Sequence, residues 1–361
     1  MVLELVEYCF KFYSNNSGVF SHVTFRSFFS LLSAWLISLW IGPYLITLLK
    51  KLKINQVIRT NGPSSHSLKQ GTPTMGGVMI LFSIILSILL WSNLCNHYIW
   101  YVICILVFYG CVGFLDDYYK ILKKNSCGLS ALSKYCLLSI IALLLMSIVF
   151  MLEKNMISTR LTVPFFSNVI IELGVWYIIF GYLVVVGTSN AVNLSDGLDG
   201  LVIFPIVCIA IGLGIIALVS SNIYFANYFS VQYCVFVREL VVVCSSIIGA
   251  GLGFLWFNAY PARIFMGDVG SLSLGGAIGV IAVLLHQEIV LCIMGGVFVL
   301  ETFSVIIQVC FFKFYGYRIF QMAPIHHHFE LQGSPEPRIV VRFWIVNCVL
   351  VLIGLIVLKV C

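Results

Sequence analysis

Apolar runs close to the length of a bilayer crossing recur from one end of this chain to the other, and nothing else limits its fold as strongly. A spanning helix needs about 20 mainly apolar residues. Such runs are Phe28–Leu49, Gly76–Leu94, Ile99–Leu115, Tyr135–Leu152, Val169–Val186, Leu201–Val219, Leu240–Phe257, Val269–Leu285, Ile289–Phe312 and Phe343–Leu358. The short stretches between them hold nearly all the Lys, Arg, Asp and His. With 61% hydrophobic and 9% charged residues among 361, so much apolar surface cannot hide in a water-soluble core, since ordinary domains carry roughly 25% charged residues. The expected fold is therefore all-α, a polytopic membrane bundle with about ten transmembrane helices, residues 1–361 forming one integral membrane domain. The run from Ile289 contains Gly295, Gly296 and Glu301 and is expected to bend or break.

Orientation follows from the basic residues, because cytoplasmic loops are enriched in Lys and Arg. Lys50, Lys51, Lys53, Arg59 and Lys69 fill the first loop, Lys120, Lys123, Lys124 and Lys134 the third, Arg263 the seventh, and Lys313, Arg318 and Arg338 the ninth. The other side holds little beyond Lys11, Lys154, Arg160 and Lys359. Odd loops are thus expected in the cytoplasm and both termini outside. The net charge of +6 follows from this bias and from attraction to anionic lipid, so no nucleic-acid partner is required. No cleavable signal is expected, because Glu4 and Glu7 precede a first apolar run long enough to stay in the membrane. The Cys residues show no CxxC pattern and mostly sit in apolar runs, where Cys behaves as a small hydrophobe.

Every Asp in the chain falls on the side read as cytoplasmic: Asp116 and Asp117 at the end of the third run, Asp196 and Asp199 after the fifth, Asp268 before the eighth. Carboxylates are disfavoured at the negative end of a helix dipole, so the Asp116–Asp117 pair needs a positive partner. Lys120 one turn on supplies the plain reading. A divalent cation with substrate phosphates is the functional one, since Mg²⁺ takes one or two carboxylates and completes its shell with water and phosphate. In NAVNLSDGLDG, Asn190, Asn193, Asp196 and Asp199 recur every three residues. On a helix they would form one polar stripe suited to recognition, against the alternative of a capped helix end. Asp268 in FMGDVGS could be a simple N-cap, but Asn258 and Phe265 share its loop, and an aromatic beside amide and carboxylate groups suits a flat base.

His326, His327 and His328 follow in APIHHHFE. In an extended loop their side chains alternate, which argues against a zinc site and for phosphate binding, with a solvated polar loop as the alternative. KQGTPTMGG places Lys69, Thr72 and Thr74 between glycines, where hydroxyls and amides can meet phosphate. The GxxxxGK[ST] order of a P-loop is absent from it.

Together KQGTPTMGG, GFLDDYYK, NAVNLSDGLDG, GFLWFNAYPARIFMGDVGS and FQMAPIHHHFELQGSPEPRIVVRFW resemble the phospho-N-acetylmuramoyl-pentapeptide transferases of the polyprenyl-phosphate sugar-1-phosphate transferase superfamily. The resemblance covers essentially the whole chain. It implies that Asp116, Asp117 and Asp268 are the catalytic acids, with Asp268 on Mg²⁺. It further implies that Asn190, Asn193, Asp196, Gly197, Leu198, Asp199, Asn258 and Phe265 hold the uridine end and neighbouring groups, while Lys69, Thr74, Lys134, His326, His327 and His328 approach phosphates or sugar. The implied substrates are UDP-N-acetylmuramoyl-pentapeptide and undecaprenyl phosphate, giving lipid I and UMP at the cytoplasmic face of the bacterial inner membrane, in a homodimer. Cys127 and Ser130 in CGLSALSK depart from the polar or basic residues commoner in such proteins. Two rival readings are a related N-acetylglucosamine-phosphate transferase, against which PIHHHFE argues, and a lipid or solute transporter. A transporter would hold its charge at mid-depth, where Glu301 is the strong candidate.

Overall fold

A computed structural model describes residues 22–52, 54, 71–123, 128–152, 159–162, 170–229 and 231–360. In chain order its helices are α1 (Val23–Lys51), α2 (Gly77–Trp91), α3 (His97–Lys123), α4 (Ala131–Leu152), α5 (Trp176–Ser195), α6 (Ile203–Ser220), α7 (Ile223–Tyr228), α8 (Leu240–Asn258), α9 (Gly267–Leu284), α10 (Glu288–Met294), α11 (Gly296–Tyr315), α12 (Ile325–Leu331) and α13 (Glu336–Val360). Among the described residues nine helical segments are long and apolar enough to cross a membrane, and the shorter apolar α2 stands beside them. The protein is a multi-pass, all-α membrane bundle.

One run differs from the sequence expectation. The fifth run was expected to be helical from Val169, but Ile170–Glu172 is a strand, paired antiparallel with Arg160–Thr162, and α5 begins only at Trp176. Its β-branched Ile170 and Ile171 suit a strand, and Gly174 (φ +52°) turns the chain into the helix. The expected break near Gly295 is present, separating α10 from α11.

In lipid, helices gain little from the hydrophobic effect between one another and associate through close packing of small residues and interhelical hydrogen bonds. The central helix α9 follows this rule. All its residues from Val269 to Leu284 are buried, and it packs against α3, α5 and α2. Gly113 of α3 marks the closest approach: a Cβ there would stand 2.3 Å from the carbonyl oxygen of Asp268. The hydroxyl of Ser189 on α5 donates to the carbonyl of Leu272 on α9 at 2.9 Å. Around this centre α8 packs on α1 and α6, and α13 on α6 and α10. Outer helices turn large apolar side chains away from the protein, as with Trp40, Leu144 and Leu352, the pattern of a surface solvated by lipid.

Alternating crossings sort the helix ends into two layers. One holds the C-termini of α3, α5 and α8 with the N-termini of α4, α6, α9 and α13. The other holds Arg26 of α1, whose guanidinium donates to both Glu239 carboxylate oxygens, and the cluster Tyr177, His286 and Glu288.

Candidate active site

The backbone first sets the position of Asp268. Segment 73–77 lies along segment 265–266: the Phe265 N–H donates to the Pro73 carbonyl at 2.9 Å, and the Gly76 and Gly77 N–H groups donate to the Phe265 and Met266 carbonyls at 2.8 Å each. The chain then turns at Gly267, whose φ of +72° suits glycine, and a Cβ there would lie 2.4 Å from Asp117 Oδ2. That same Oδ2 accepts the Asp268 N–H at 2.9 Å. GTPTMGG thus shapes the start of α9, and buried Thr74 lies beside Gly267. Lys69 lies outside the described residues.

Asp268 is not the cap of its helix. The cap position is Met266, and Asp268 sits in the first turn with its carboxylate directed at other elements. Its Oδ2 accepts from Lys120 Nζ at 2.8 Å and Lys134 Nζ at 2.7 Å, and its Oδ1 accepts from Asn193 Nδ2 at 2.7 Å. Asp116 and Asp117, buried at the end of α3, complete the group, the ligand oxygens of the three acids lying within 4.8 Å of one another. Three carboxylates this close repel strongly, so positive charge must sit among them. Lys120 supplies it here, 2.6 Å from Asp116 Oδ2 and 3.3 Å from Asp117 Oδ1. A set of hard carboxylate oxygens is the donor type that Mg²⁺ selects, and Lys120, on a flexible four-carbon stem, holds the place of positive charge among them.

Lys134 reaches the cluster from the first turn of α4, which Ser130 caps by accepting the Ser133 N–H at 3.1 Å. Cys127 lies outside the described residues. The Leu129 N–H donates to Asp116 Oδ1 at 2.7 Å, tying the loop before α4 to the acids.

The NAVNLSDGLDG segment does not form one helical stripe. The helix α5 ends at Ser195, and Asp196 adopts φ −78°, ψ 65°, so the glycines that follow turn the two aspartates out of helical register. Its members separate by partner. Asn190 donates back to the Val186 carbonyl on its own helix, whereas Asn193 bridges Asp268, Ser271 and Lys134. Buried Asp199 accepts the Ala262 N–H at 2.9 Å, and its own N–H meets Glu336. Asn258 accepts the Gly200 N–H and donates to the Ile264 carbonyl, so both ends of its amide join loops. Leu198 is buried in a small cluster with Leu201, Ile339 and Val340, and Phe265 is partly buried. Burial pushes the Asp196 carboxyl up to about 7, with the charges of Asp268, Asp117 and Asp199 adding to the shift and Lys120 opposing it.

The three His residues lie on the short helix α12, not on an extended strand. Successive side chains there point about 100° apart, so they again face different partners. His326 pairs with Glu301 at 3.0 Å, His327 with Glu330 at 2.8 Å, and His328 with Gln321 and Gln332. Glu301, the expected mid-depth charge, is thus the partner of His326. Lys120 is the residue that the motif reading passed over as an ordinary helix pair. Its i, i+3 and i, i+4 spacing to the two acids was visible, but its reach to Asp268 is a tertiary contact.

Residues 99–286, more than half the chain, match the model of glycosyl transferase family 4. Residues 69–81 match phospho-N-acetylmuramoyl-pentapeptide-transferase signature 1. The first span contains all three clustered acids, and the second contains the strip that shapes the turn before Asp268. The chain belongs to glycosyl transferase family 4, in its phospho-N-acetylmuramoyl-pentapeptide-transferase branch, and works in peptidoglycan synthesis.

Proposed function

We propose that the chain, as one integral membrane domain in the bacterial inner membrane with its site on the cytoplasmic face, transfers phospho-N-acetylmuramoyl-pentapeptide from its UDP carrier to undecaprenyl phosphate, releasing UMP, in an Mg²⁺-dependent reaction. The observation that carries this reading is the convergence of Asp116, Asp117 and Asp268 with Lys120 and Lys134 at one end of the bundle. An acceptor whose tail lies in the bilayer and a soluble, polyanionic donor can both reach such a place.

An oxygen of the lipid phosphate attacks the sugar-linked phosphorus of the donor. A new P–O bond forms, the bond from that phosphorus to the UMP oxygen breaks, and UMP carries away the electron pair. Asp116 accepts any proton that remains on the lipid phosphate. Lys120 and Lys134 hold the approaching anions in line and offset their repulsion, which is where most of the catalysis in phosphoryl transfer arises. Asp268 and its two neighbouring acids would hold Mg²⁺, which when bound neutralises pyrophosphate charge. Asp196, with Gly197 and Phe265, faces the nucleotide end. Asn193, Asp199, Leu198 and Asn258 keep that surface in shape, and Asn190 braces α5. Thr74 and helix α12 border the phosphate and sugar path, and Lys69 is assigned to the same phosphates.

The test is to incubate purified protein with labelled donor and undecaprenyl phosphate, with Mg²⁺ or with EDTA. Lipid I and UMP should form together and only with the metal, and Asp268→Asn should remove turnover by roughly 10²-fold or more while the protein still inserts. Metal-independent turnover would end the Mg²⁺ assignment, and a burst of UMP without acceptor would replace direct attack by a covalent intermediate.

A further inference from the structure

Glu301 is a buried carboxylate in the body of α11, with its side chain fully enclosed. An acid inside a membrane bundle is costly and is kept where it has a partner and a task. Its partner is His326 of α12: Glu301 Oε2 lies 3.0 Å from His326 Nδ1, and the imidazole is as fully enclosed as the carboxylate. A carboxylate on one ring nitrogen fixes the orientation of the imidazole and dedicates the other nitrogen to a second partner.

That other nitrogen, His326 Nε2, is buried and has no hydrogen-bond partner among the described residues. It is aimed at Gly197, where a Cβ would stand 2.3 Å away. Only a glycine leaves the nitrogen this access, and Gly197 follows Asp196 in the turn assigned above to the nucleotide end. An enclosed polar atom without a partner is costly, so a native site that keeps one is arranged for a group that arrives.

We propose that Glu301 is a positioning residue of the transferase: it holds the His326 ring with Nε2 turned onto the Gly197 turn, ready to hydrogen-bond a polar group of the nucleotide-sugar donor. This rests on the reading of that turn as part of the donor site, and the variants separate the two ideas. His326→Ala should raise the donor KM about tenfold, the effect of losing one hydrogen bond to a charged substrate, with the KM for undecaprenyl phosphate unchanged. Glu301→Ala should reproduce that rise. Because Glu301 acts through His326, the double variant should be no worse than His326→Ala alone, and Glu301→Gln, whose amide oxygen still accepts from Nδ1, should recover most of the affinity.

Losses in the double variant that multiply, or a Glu301→Ala enzyme with a wild-type donor KM, would overturn the positioning role while leaving the donor site standing. A wild-type donor KM in His326→Ala would remove the donor-site reading at this turn, and this proposal with it. If Glu301→Ala does not accumulate in membranes, Gly197→Ala puts the question from the other side: its methyl crowds Nε2 and must raise the donor KM with both glutamate and histidine intact. A wild-type KM there overturns the proposal.

Discussion

Among the polar residues of the site, Asp196 and Asp199 show how three positions of sequence can separate two roles. Asp199 is buried and takes the Ala262 N–H. Asp196 has a carboxyl held up to about 7, first by burial and then by its acidic neighbours. If Asp196 recognises the donor as an acceptor, binding needs its ionised form. The donor kcat/KM should then rise as pH increases from about 5.5 and level off above the pKa of about 7. Asp196→Asn should lower kcat/KM and remove that rise, and a profile of the same shape in the variant would take Asp196 out of recognition. Lys120 admits a second test at this scale. Removing one partner of a buried pair costs roughly 3–5 kcal/mol, reduced here because 30% of its side chain stays exposed. Lys120→Met should therefore melt below the wild type in EDTA and gain more Tm from millimolar Mg²⁺ than the wild type does. Equal gains would mean that the three acids do not bind the ion. Asp116, Asp117 and Asp268 were legible in the sequence because an acid in so apolar a chain stands out. Asn258 read as a base contact because its two internal bonds, to Gly200 and Ile264, depend on how distant loops meet.

Helix ends carry the polar chemistry of this protein in both layers, and the layer opposite the acids makes its own prediction. Where α9 gives way to α10, Tyr177 of α5 donates to Glu288 Oε1 at 2.7 Å and lies 3.0 Å from His286 Nδ1. Burial lowers the His286 imidazole to about 4, and burial raises the Glu288 carboxyl to about 7 despite the opposing Tyr177 hydrogen bond. The folded state thus prefers both groups neutral. The His286 contribution is present above its ordinary 6.5 and lost as pH falls toward 4. The Glu288 contribution is present below its ordinary 4.5 and lost as pH rises toward 7. Glu288→Gln keeps a neutral side chain at every pH. Its Tm relative to wild type, read by tryptophan fluorescence in detergent, should climb between about pH 4.5 and 7, and a constant difference would refute the shifted carboxyl. The run from Ile289 revealed its break because glycines interrupt it. The strand at Ile170–Glu172 did not reveal itself, since a short apolar run reads equally well as the start of a helix.

Across the whole molecule, a shared site requires even numbers of crossings between the acidic stretches. Asp116 and Asp117 lie in the last two turns of α3, and Asp268 lies in the first turn of α9, so one miscounted helix would put them on opposite faces of the bilayer. The contacts of Lys120 and Lys134 with Asp268 place those ends in one layer, and Arg26 with Glu239 ties together the ends that form the other. Which layer faces the cytoplasm rests on the Lys and Arg bias of the loops. Arg26 and exposed Arg238, in the layer opposite the acids, run against that bias. A direct measurement follows from two exposed tyrosines, Tyr224 on α7 in the layer opposite the acids, 82% exposed, and Tyr260 beside the acidic site, 55% exposed. In intact spheroplasts a membrane-impermeant maleimide should label Tyr224→Cys above the background of the native cysteines. It should label Tyr260→Cys only after permeabilisation. The reverse pattern would put the carboxylates outside the cell, out of reach of a cytoplasmic nucleotide sugar, and would leave the cluster without the donor that gives it a purpose.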